Sequence, residues 1–209
     1  MSDLNDFLRD VRHHKLTIEL DQGVHRCLFL GHPGSSSHHY RLTTWPGHLA
    51  ISGDMGSFMF VRRRDMFDFF RDEEMTNKIN PSYWSQKTEA IYRHGGMKVF
   101  SPKIFEENVR EFCGEWEVNL RNADRIKSEV ERELCVGFSD QSEAFKALRD
   151  FESSDGYVFD AFDFPDCTEH SFHFIWCLRA IVWGIKQYDL VTQGRTQADH
   201  TRRVLAGEI

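Results

Sequence analysis

Polar and apolar residues alternate with a period of two through the first third of the chain. This alternation predicts five strands, at residues 16–20, 24–30, 40–45, 48–52 and 57–61. The segments between them contain glycine, proline and aspartate, which are residue types that favour turns. Short turns between successive strands indicate an antiparallel meander with one buried face.

The spacing of the apolar positions changes to that of a helix after Arg64. Asn80-Pro81 places an N-cap residue before a proline at the first helical position, and Asp140 precedes Glu143 with capping-box spacing. Together with the spacing of the aromatic residues, these signals predict helices at residues 4–11, 65–71, 80–94, 102–120, 140–151 and 169–188, and a continuation of the fourth helix to residue 134 is left open.

The predicted fold class is therefore α+β, with an N-terminal antiparallel sheet of about five strands packed against a helical C-terminal half. We predict a single domain over residues 1–209, sheet-rich at 14–62 and helical at 63–190, with a frayed tail at 194–209. One shared core is expected from six large aromatic residues: Phe67, Phe70, Trp84, Trp116, Trp176 and Trp183. A solvent-facing stripe at Trp176 and Trp183 would instead mark a homodimer interface.

Composition narrows the class of protein. A chain of 209 residues buries about 70% of its unfolded surface, and eighteen phenylalanines and five tryptophans supply the core. The net charge of −7 argues against broad nucleic-acid binding, which needs a basic face. This net charge does not exclude a local basic patch.

The cysteines and the N-terminus indicate a cytoplasmic protein. The five cysteines are an odd number without a CxxC pair, which is typical of reduced thiols in a cytosol. The first residues, MSDLNDFLRDVRHH, lack the apolar stretch of a signal peptide. No apolar run approaches the length of a membrane span, so no membrane association is expected.

The first candidate site is a phosphate site at consecutive arginines and a glycine turn. Guanidinium groups bind phosphate bidentately, and backbone N–H groups of such a turn can contribute. The predicted ligand-binding residues are Arg62, Arg63, Arg64, Gly53, Asp54 and Gly56. The alternative is a solvated face on which Asp65 and Asp68 pair with these arginines.

The second candidate is an acidic and aromatic stretch without lysine or arginine, at residues 152–170. Its predicted partner surface consists of Asp160, Phe162, Asp163 and Asp166. The three aspartates recur with Glu169 at a spacing of three, so a helix would gather carboxylates for a hard cation such as magnesium. A solvated loop whose phenylalanines enter the core is the remaining alternative.

The third candidate is a zinc site, because cysteine and histidine are the ligand types of tetrahedral zinc. The residues are Cys167, His170, His173 and Cys177, of which the last three share one helix face. Four ligands from one short segment make awkward geometry, and the alternative places Cys177 in the core. No cofactor is predicted, and zinc is the alternative.

Histidines are frequent in the first half of the chain but form no catalytic signature. They are His13, His14, His25, His32, His38, His39 and His48. If His38 and His39 lie in a strand, their rings point to opposite faces. Without a nucleophile and base pair in a known arrangement, no catalytic residues are predicted. Trp45 and Tyr40 are able to stack a base, although core packing explains them equally well.

Four sequence segments resemble a family of uncharacterised proteins encoded by tailed phages and prophages of Gram-negative bacteria. These are TWPGHLAISGDMGSFMF, RDMFDFF, INPSYW and AIVWGIKQYD, within a similarity that spans roughly residues 15–190. The resemblance implies a phage-encoded accessory protein in the cytoplasm of a bacterial host. It implies no particular activity and no catalytic residues.

Two hypotheses of function follow. In the first, the protein acts by binding, and counters a host defence system by engaging a host protein or by sequestering a small phosphorylated molecule. In the second, it is a metal-dependent hydrolase of nucleotides or nucleic acid, which would use Asp160, Asp163, Asp166, His170 and His173. A structural or DNA-replication accessory without a small ligand is a weaker third reading. We favour binding, because it explains the missing catalytic signature.

Overall fold

The computed structural model describes residues 3–71, 78–93, 95–116, 122–159 and 164–192, except for the side chains of residues 114–116. The chain divides into two compact units. Unit 1 comprises residues 1–97 and 170–209, and unit 2 comprises residues 98–169. Unit 2 therefore interrupts the sequence of unit 1.

Unit 1 contains a six-stranded antiparallel sheet in which each strand pairs with the next along the chain. The strands are β1 (Lys15–Gln22), β2 (His25–Gly31), β3 (Tyr40–Trp45), β4 (His48–Gly53), β5 (Gly56–Val61) and β6 (Thr88–Ala90). The first five confirm the predicted meander, and their alternating burial confirms one buried face.

The β3–β4 hairpin turns at Pro46-Gly47, as the sequence predicts. Proline fixes φ at the first loop position, and Gly47 adopts a φ of 85° at the second, which is open to glycine at no steric cost. A two-residue loop places the flanking residues directly opposite each other, so Trp45 faces His48 across the hairpin.

The buried face of the sheet packs against the long helix α7 (Phe172–Thr192). The ring of Phe174 contacts that of Phe58 at a centroid distance of 5.2 Å. The hydroxyl of Tyr40 donates a hydrogen bond to the carbonyl of Ala180 at 3.0 Å, so this buried phenol is satisfied. Trp176 is completely buried and Trp183 packs against the same hydrophobic cluster, so both tryptophans of the predicted stripe contact the core.

The predicted helix at 80–94 is wrong in its second half. Helix α3 (Pro81–Ser85) begins where predicted, because the side chain of Asn80 accepts a hydrogen bond from the amide of Tyr83 at 3.1 Å. The chain then forms β6, in which Thr88 lies opposite Phe60 of β5. The free edge of β5 and a β-branched residue favour a strand there over a longer helix.

Two further helices complete unit 1, namely α1 (Leu4–Val11) and α2 (Phe67–Phe70). Helix α2 is shorter than the predicted 65–71. Its start is displaced because the carboxylate of Asp65 accepts a hydrogen bond from the amide of Phe67 at 2.9 Å. Asp65 therefore acts before the helix, and not within its first turn.

Unit 2 is helical and has its own hydrophobic cluster. Its helices are α4 (Pro102–Trp116), α5 (Ala123–Leu134) and α6 (Gln141–Asp150), and β7 (Lys98–Phe100) pairs with β8 (Thr168–His170). Asp140 caps α6 as predicted, through its side chain and the amides of Ser142 and Glu143. The helix predicted from residue 102 corresponds to α4, and the stretch for which its continuation to residue 134 was open contains α5. Residues 117–121 lie outside the described residues.

The α+β class is confirmed, whereas the single domain over residues 1–209 stays a prediction. Five of the six aromatic residues expected in one core belong to, or pack against, the cluster of unit 1. The sixth is Trp116, whose side chain is not described. Within the described ranges, no helix is both long enough and apolar enough to cross a membrane. The tail predicted at 194–209 lies outside the described residues.

Candidate ligand-binding site

Arg62, Arg63 and Arg64 follow β5 directly and run beside the loop of the β3–β4 hairpin. The amide of Arg62 donates to the carbonyl of Gly47 at 3.2 Å, and the amide of Gly47 donates to the carbonyl of Arg64 at 3.0 Å. These two backbone hydrogen bonds continue the pairing of β4 with β5 beyond the ends of the two strands. The backbone of the arginine segment is thus fixed to the hairpin, while its three side chains are exposed.

The acidic neighbours of the arginine segment have other partners. Both carboxylate oxygens of Asp65 accept hydrogen bonds from Arg26, at 2.9 Å each. Asp68 pairs with Arg71. The alternative in which these two aspartates neutralise Arg62 to Arg64 is therefore wrong. Among the described residues, no acidic side chain lies within ion-pairing distance of the three arginines.

The Arg26–Asp65 pair anchors the chain just after the arginine segment. The side chain of Arg26 is only 10% exposed, and its guanidinium carbon lies 4.5 Å from the centroid of the Phe67 ring. Burial by itself raises the pKa of Asp65, but the hydrogen bonds from Arg26 and from the amide of Phe67 outweigh it. The pKa of this carboxyl therefore lies below its ordinary value.

An aromatic pair lies next to the arginine segment on the face of the sheet opposite the core. The rings of Trp45 and His48 stack with a centroid distance of 5.0 Å and an interplanar angle of 10°. His48 donates through Nδ1 to the carbonyl of Pro46 at 2.9 Å, and its Nε2 lies 3.7 Å from a carboxylate oxygen of Glu89. Trp45 is half-buried, and its indole N–H bonds no described residue.

A fourth cation lies next to the arginine segment along the backbone. The amide of Val61, the residue before Arg62, donates to the carbonyl of Lys87 at 2.9 Å. The ammonium group of Lys87 lies 5.2 Å from the centroid of the Tyr83 ring. Among the described residues, this end of the sheet therefore carries four cations without an acidic partner, beside a half-buried tryptophan ring, in a chain whose net charge is −7.

The structure does not bring the predicted glycine turn to the arginines. Gly53, Asp54 and Gly56 lie at one end of β5 and Arg62 follows the other, so the two are roughly 20 Å apart. The turn instead packs on the segment before β3. The carboxylate of Asp54 accepts from the amide of His38 at 2.8 Å, and a Cβ on Gly53 would lie 2.2 Å from the carbonyl oxygen of His39.

The predicted zinc ligands have separate local partners. Cys167 belongs to unit 2, where its thiol lies 3.3 Å from the carbonyl of Pro165. In unit 1, Nδ1 of His173 and the thiol of Cys177 both donate to the carbonyl of Met55, at 3.1 and 3.6 Å. His170 stacks obliquely on Phe174. Among the described residues, no group of three or more His, Cys, Asp or Glu side chains is arranged to hold a metal ion.

The acidic stretch is described only at its end. Asp160, Phe162 and Asp163 lie outside the described residues. Asp166 accepts a hydrogen bond from Lys98 at 2.8 Å, and this bond is the main reason why the pKa of Asp166 is lowered. One of the carboxylates proposed for a cation is therefore already paired with an ammonium group.

The histidines divide between the sheet and a cluster near α1. His38 and His39 lie in the turn before β3, so the condition that both occupy a strand is not met. His38, at a φ of 58°, stacks on Trp176, whereas Nδ1 of His39 donates to the carbonyl of Ser36 at 2.6 Å. Nε2 of His14 donates to the carbonyl of His38 at 2.9 Å, and burial lowers the pKa of His14.

Sequence reasoning missed two parts of the basic site. The pairing of Arg26 with Asp65 spans 39 residues, and no local pattern indicates it. The stacking of Trp45 on His48 was detectable, because the residues that flank a two-residue hairpin loop face each other. The structure also separates the two aromatic residues that were candidates for base stacking. Tyr40 is buried in the core, and Trp45 is not.

Comparisons of the chain with protein-family models, with curated proteins and with solved structures find no match. The resemblance to phage-encoded proteins therefore stays a prediction. The α+β fold and the basic surface are the two features on which a function can be based.

Proposed function

We propose that this protein binds a small phosphorylated molecule through the arginine segment Arg62–Arg64. The observation that carries the proposal is the charge of this segment, because three consecutive exposed guanidinium groups have no acidic partner among the described residues. Here the two nearest carboxylates in sequence bind Arg26 and Arg71 instead.

The geometry of the segment suits phosphate recognition. Each guanidinium presents a planar fork of donors that matches two phosphate oxygens, which makes arginine a better phosphate ligand than lysine at such a site. The hydrogen bonds between Gly47 and the segment fix the backbone that carries the side chains. Less conformational freedom is then lost when an anion binds.

The resemblance to phage proteins supplies the biological setting of the proposal. A phage-encoded protein that binds a phosphorylated signal in the bacterial cytoplasm would sequester it from the host defence system that responds to it. Sequestration needs binding only, which agrees with the lack of a catalytic signature in the sequence. Binding to a host protein through the acidic stretch at residues 160–166 is the other form of this hypothesis, and most of that stretch lies outside the described residues.

The test is a calorimetric titration of the protein with ribose 5-phosphate at low ionic strength. The triple variant R62A/R63A/R64A should bind at least about tenfold more weakly than the unmodified protein, because charge-assisted hydrogen bonds contribute about 1.5–3 kcal/mol each. The matched control K103A/R132A/K146A removes three exposed cations from unit 2. It should bind within about twofold of the unmodified protein.

The titration contradicts the proposal if the two triple variants bind equally, or if the unmodified protein binds no phosphate-bearing probe. Circular dichroism of both variants checks the fold, which exposed arginines should not affect. Native mass spectrometry of the protein purified from bacterial cytosol adds an independent readout, since a retained ligand increases the native mass over the denatured one.

A further inference from the structure

The structure places an aromatic ring beside the arginine segment, and from this we infer that the phosphorylated ligand is a nucleotide whose base stacks on Trp45. The inference rests on the proposed function, since it assigns the phosphate group to Arg62–Arg64. The inference adds a second subsite, at Trp45, and it narrows the ligand class to nucleotides. A sugar phosphate without a base would make no contact with the ring of Trp45.

The ring and the arginines are close enough for one small ligand. Trp45 ends β3, and Arg62 follows β5, two strands away, so their backbones lie roughly 10 Å apart. The loop between β3 and β4 bonds the arginine segment directly through Gly47. A nucleoside monophosphate, which has its base and its phosphate at opposite ends of a ribose, fits this arrangement.

Trp45 is partly exposed, and its ring and indole N–H have few partners among the described residues. Its ring stacks on His48, and it has no other ring contact among the described residues. The indole N–H bonds no described residue and is available to an acceptor on the ligand. A tryptophan placed on the open face of a sheet contributes little to the core, so a core role does not account for its position.

His48 and Glu89 define the rim of this subsite. His48 donates through Nδ1 to the carbonyl of Pro46, which holds the imidazole parallel to the indole. The carboxylate of Glu89, 3.7 Å from Nε2 of His48, is the acidic group nearest the platform among the described ion pairs. A carboxylate there disfavours a phosphate above the rings and leaves the neutral base as the group that occupies them.

The experiment compares inorganic phosphate, ribose 5-phosphate and adenosine 5′-monophosphate as probes in calorimetric titrations of the full chain. Base stacking on an aromatic side chain typically strengthens binding of each base by about tenfold or more. Adenosine 5′-monophosphate should therefore bind at least about tenfold more tightly than ribose 5-phosphate. The variant Trp45→Leu should abolish this preference and leave the affinity for ribose 5-phosphate unchanged.

Two further variants separate stacking from structure. Trp45→Phe keeps an aromatic face and should keep most of the preference. Phe172→Leu replaces a 47% exposed aromatic residue at the start of α7 and should keep all of it. If both phosphate esters bind with equal affinity to the unmodified protein, the nucleotide inference is overturned while the proposed function stands. If none of the three probes binds, the proposed function fails as well.

Discussion

Arg26 on β2 donates two hydrogen bonds of 2.9 Å each to the carboxylate of Asp65, the residue after the arginine segment. The pair spans 39 residues and sits against the ring of Phe67. It removes the nearest carboxylate from the surface where Arg62 to Arg64 lie. A stabilising contact therefore also determines the charge of the candidate site.

Replacing Asp65 by asparagine should lower the free energy of unfolding by about 2–3 kcal/mol, because the largely buried Arg26 would lose its bidentate carboxylate and keep only the longer contact with Asp21, at 3.9 Å. The same variant should weaken binding of ribose 5-phosphate, since the start of α2 and the segment before it lose an anchor. Urea denaturation and calorimetric titration measure the two effects.

Asp68→Asn is the matched control for this variant. Asp68 is about half exposed and pairs with Arg71 at the surface, and such pairs contribute on the order of 0–1 kcal/mol. A loss in Asp65→Asn no larger than that in Asp68→Asn would show that the Arg26–Asp65 pair does not anchor the segment.

Acidification should destabilise the protein between pH 7 and pH 5 through His14. Burial lowers the pKa of His14 in the folded chain, whereas the unfolded chain titrates near the ordinary value of about 6.5. The unfolded state therefore binds more protons in this range. The stability that His14 contributes at pH 7 is therefore lost as the pH falls below the unfolded-state pKa of about 6.5 and approaches the lower pKa of the folded state.

The variant His14→Gln should reduce the difference in unfolding free energy between pH 7 and pH 5, measured by urea titration at each pH. The amide of glutamine retains a donor for the carbonyl of His38. His25→Gln, at an exposed position on β2, should leave the difference unchanged. A pH dependence that is the same in all three proteins would contradict the role of His14.

Gly53→Ala should destabilise the protein by about 2 kcal/mol or more. The added methyl group would lie 2.2 Å from the backbone oxygen of His39 and 2.7 Å from Cα of Tyr40, and a backbone cannot move aside cheaply. Gly95→Ala is the control, because its nearest new contact would be 3.5 Å. Thermal denaturation should give a lower melting temperature for Gly53→Ala than for Gly95→Ala. Equal melting temperatures would contradict the close approach of Gly53 to the backbone of His39 and Tyr40.

The thiols of Cys113, Cys135 and Cys177 should react slowly with iodoacetamide at pH 8. Burial raises the pKa of Cys113 to about 11 and that of Cys135 to about 12, and it also raises that of Cys177. Only the thiolate is nucleophilic, so alkylation of the folded protein should be on the order of a hundredfold slower than of the chain in urea.

Mass spectrometry of labelled peptides gives the rate at each cysteine. The urea-unfolded chain is the internal reference, because all five thiols are then free of the fold. Rapid labelling of the folded protein at any of the three positions would contradict the raised pKa. A stoichiometric zinc ion in the native mass would also contradict it for Cys177, because zinc binds the thiolate.

The sheet could be predicted from the sequence because its signals are local. Alternation of apolar residues gives each strand of the meander, and the pair Pro46-Gly47 gives a turn. The end of α3 was missed because it depends on β5, which offers an unpaired edge to Thr88–Ala90. The sequence of residues 80–94 contains no signal for the unpaired edge of β5. The spacing of its aromatic residues favours a helix instead.

The candidate site could be predicted in part, for the same physical reason. The run of three arginines is visible in the sequence, and its exposure follows from its charge. Proximity along the chain suggests Asp65 and Asp68 as acidic partners, whereas Asp65 pairs with Arg26 on another strand. The glycine turn was placed beside the arginines although a strand of six residues separates them.

Unit 1 is completed by α7, which follows unit 2 in the chain, and this order has a consequence during synthesis. The last residue of β5 leaves the ribosome 111 residues before the first residue of α7. At common rates of protein synthesis this interval is roughly 6–22 s. For that time the phenylalanines of the nascent sheet lack the helix that covers them, so the emerging chain exposes apolar surface to solvent.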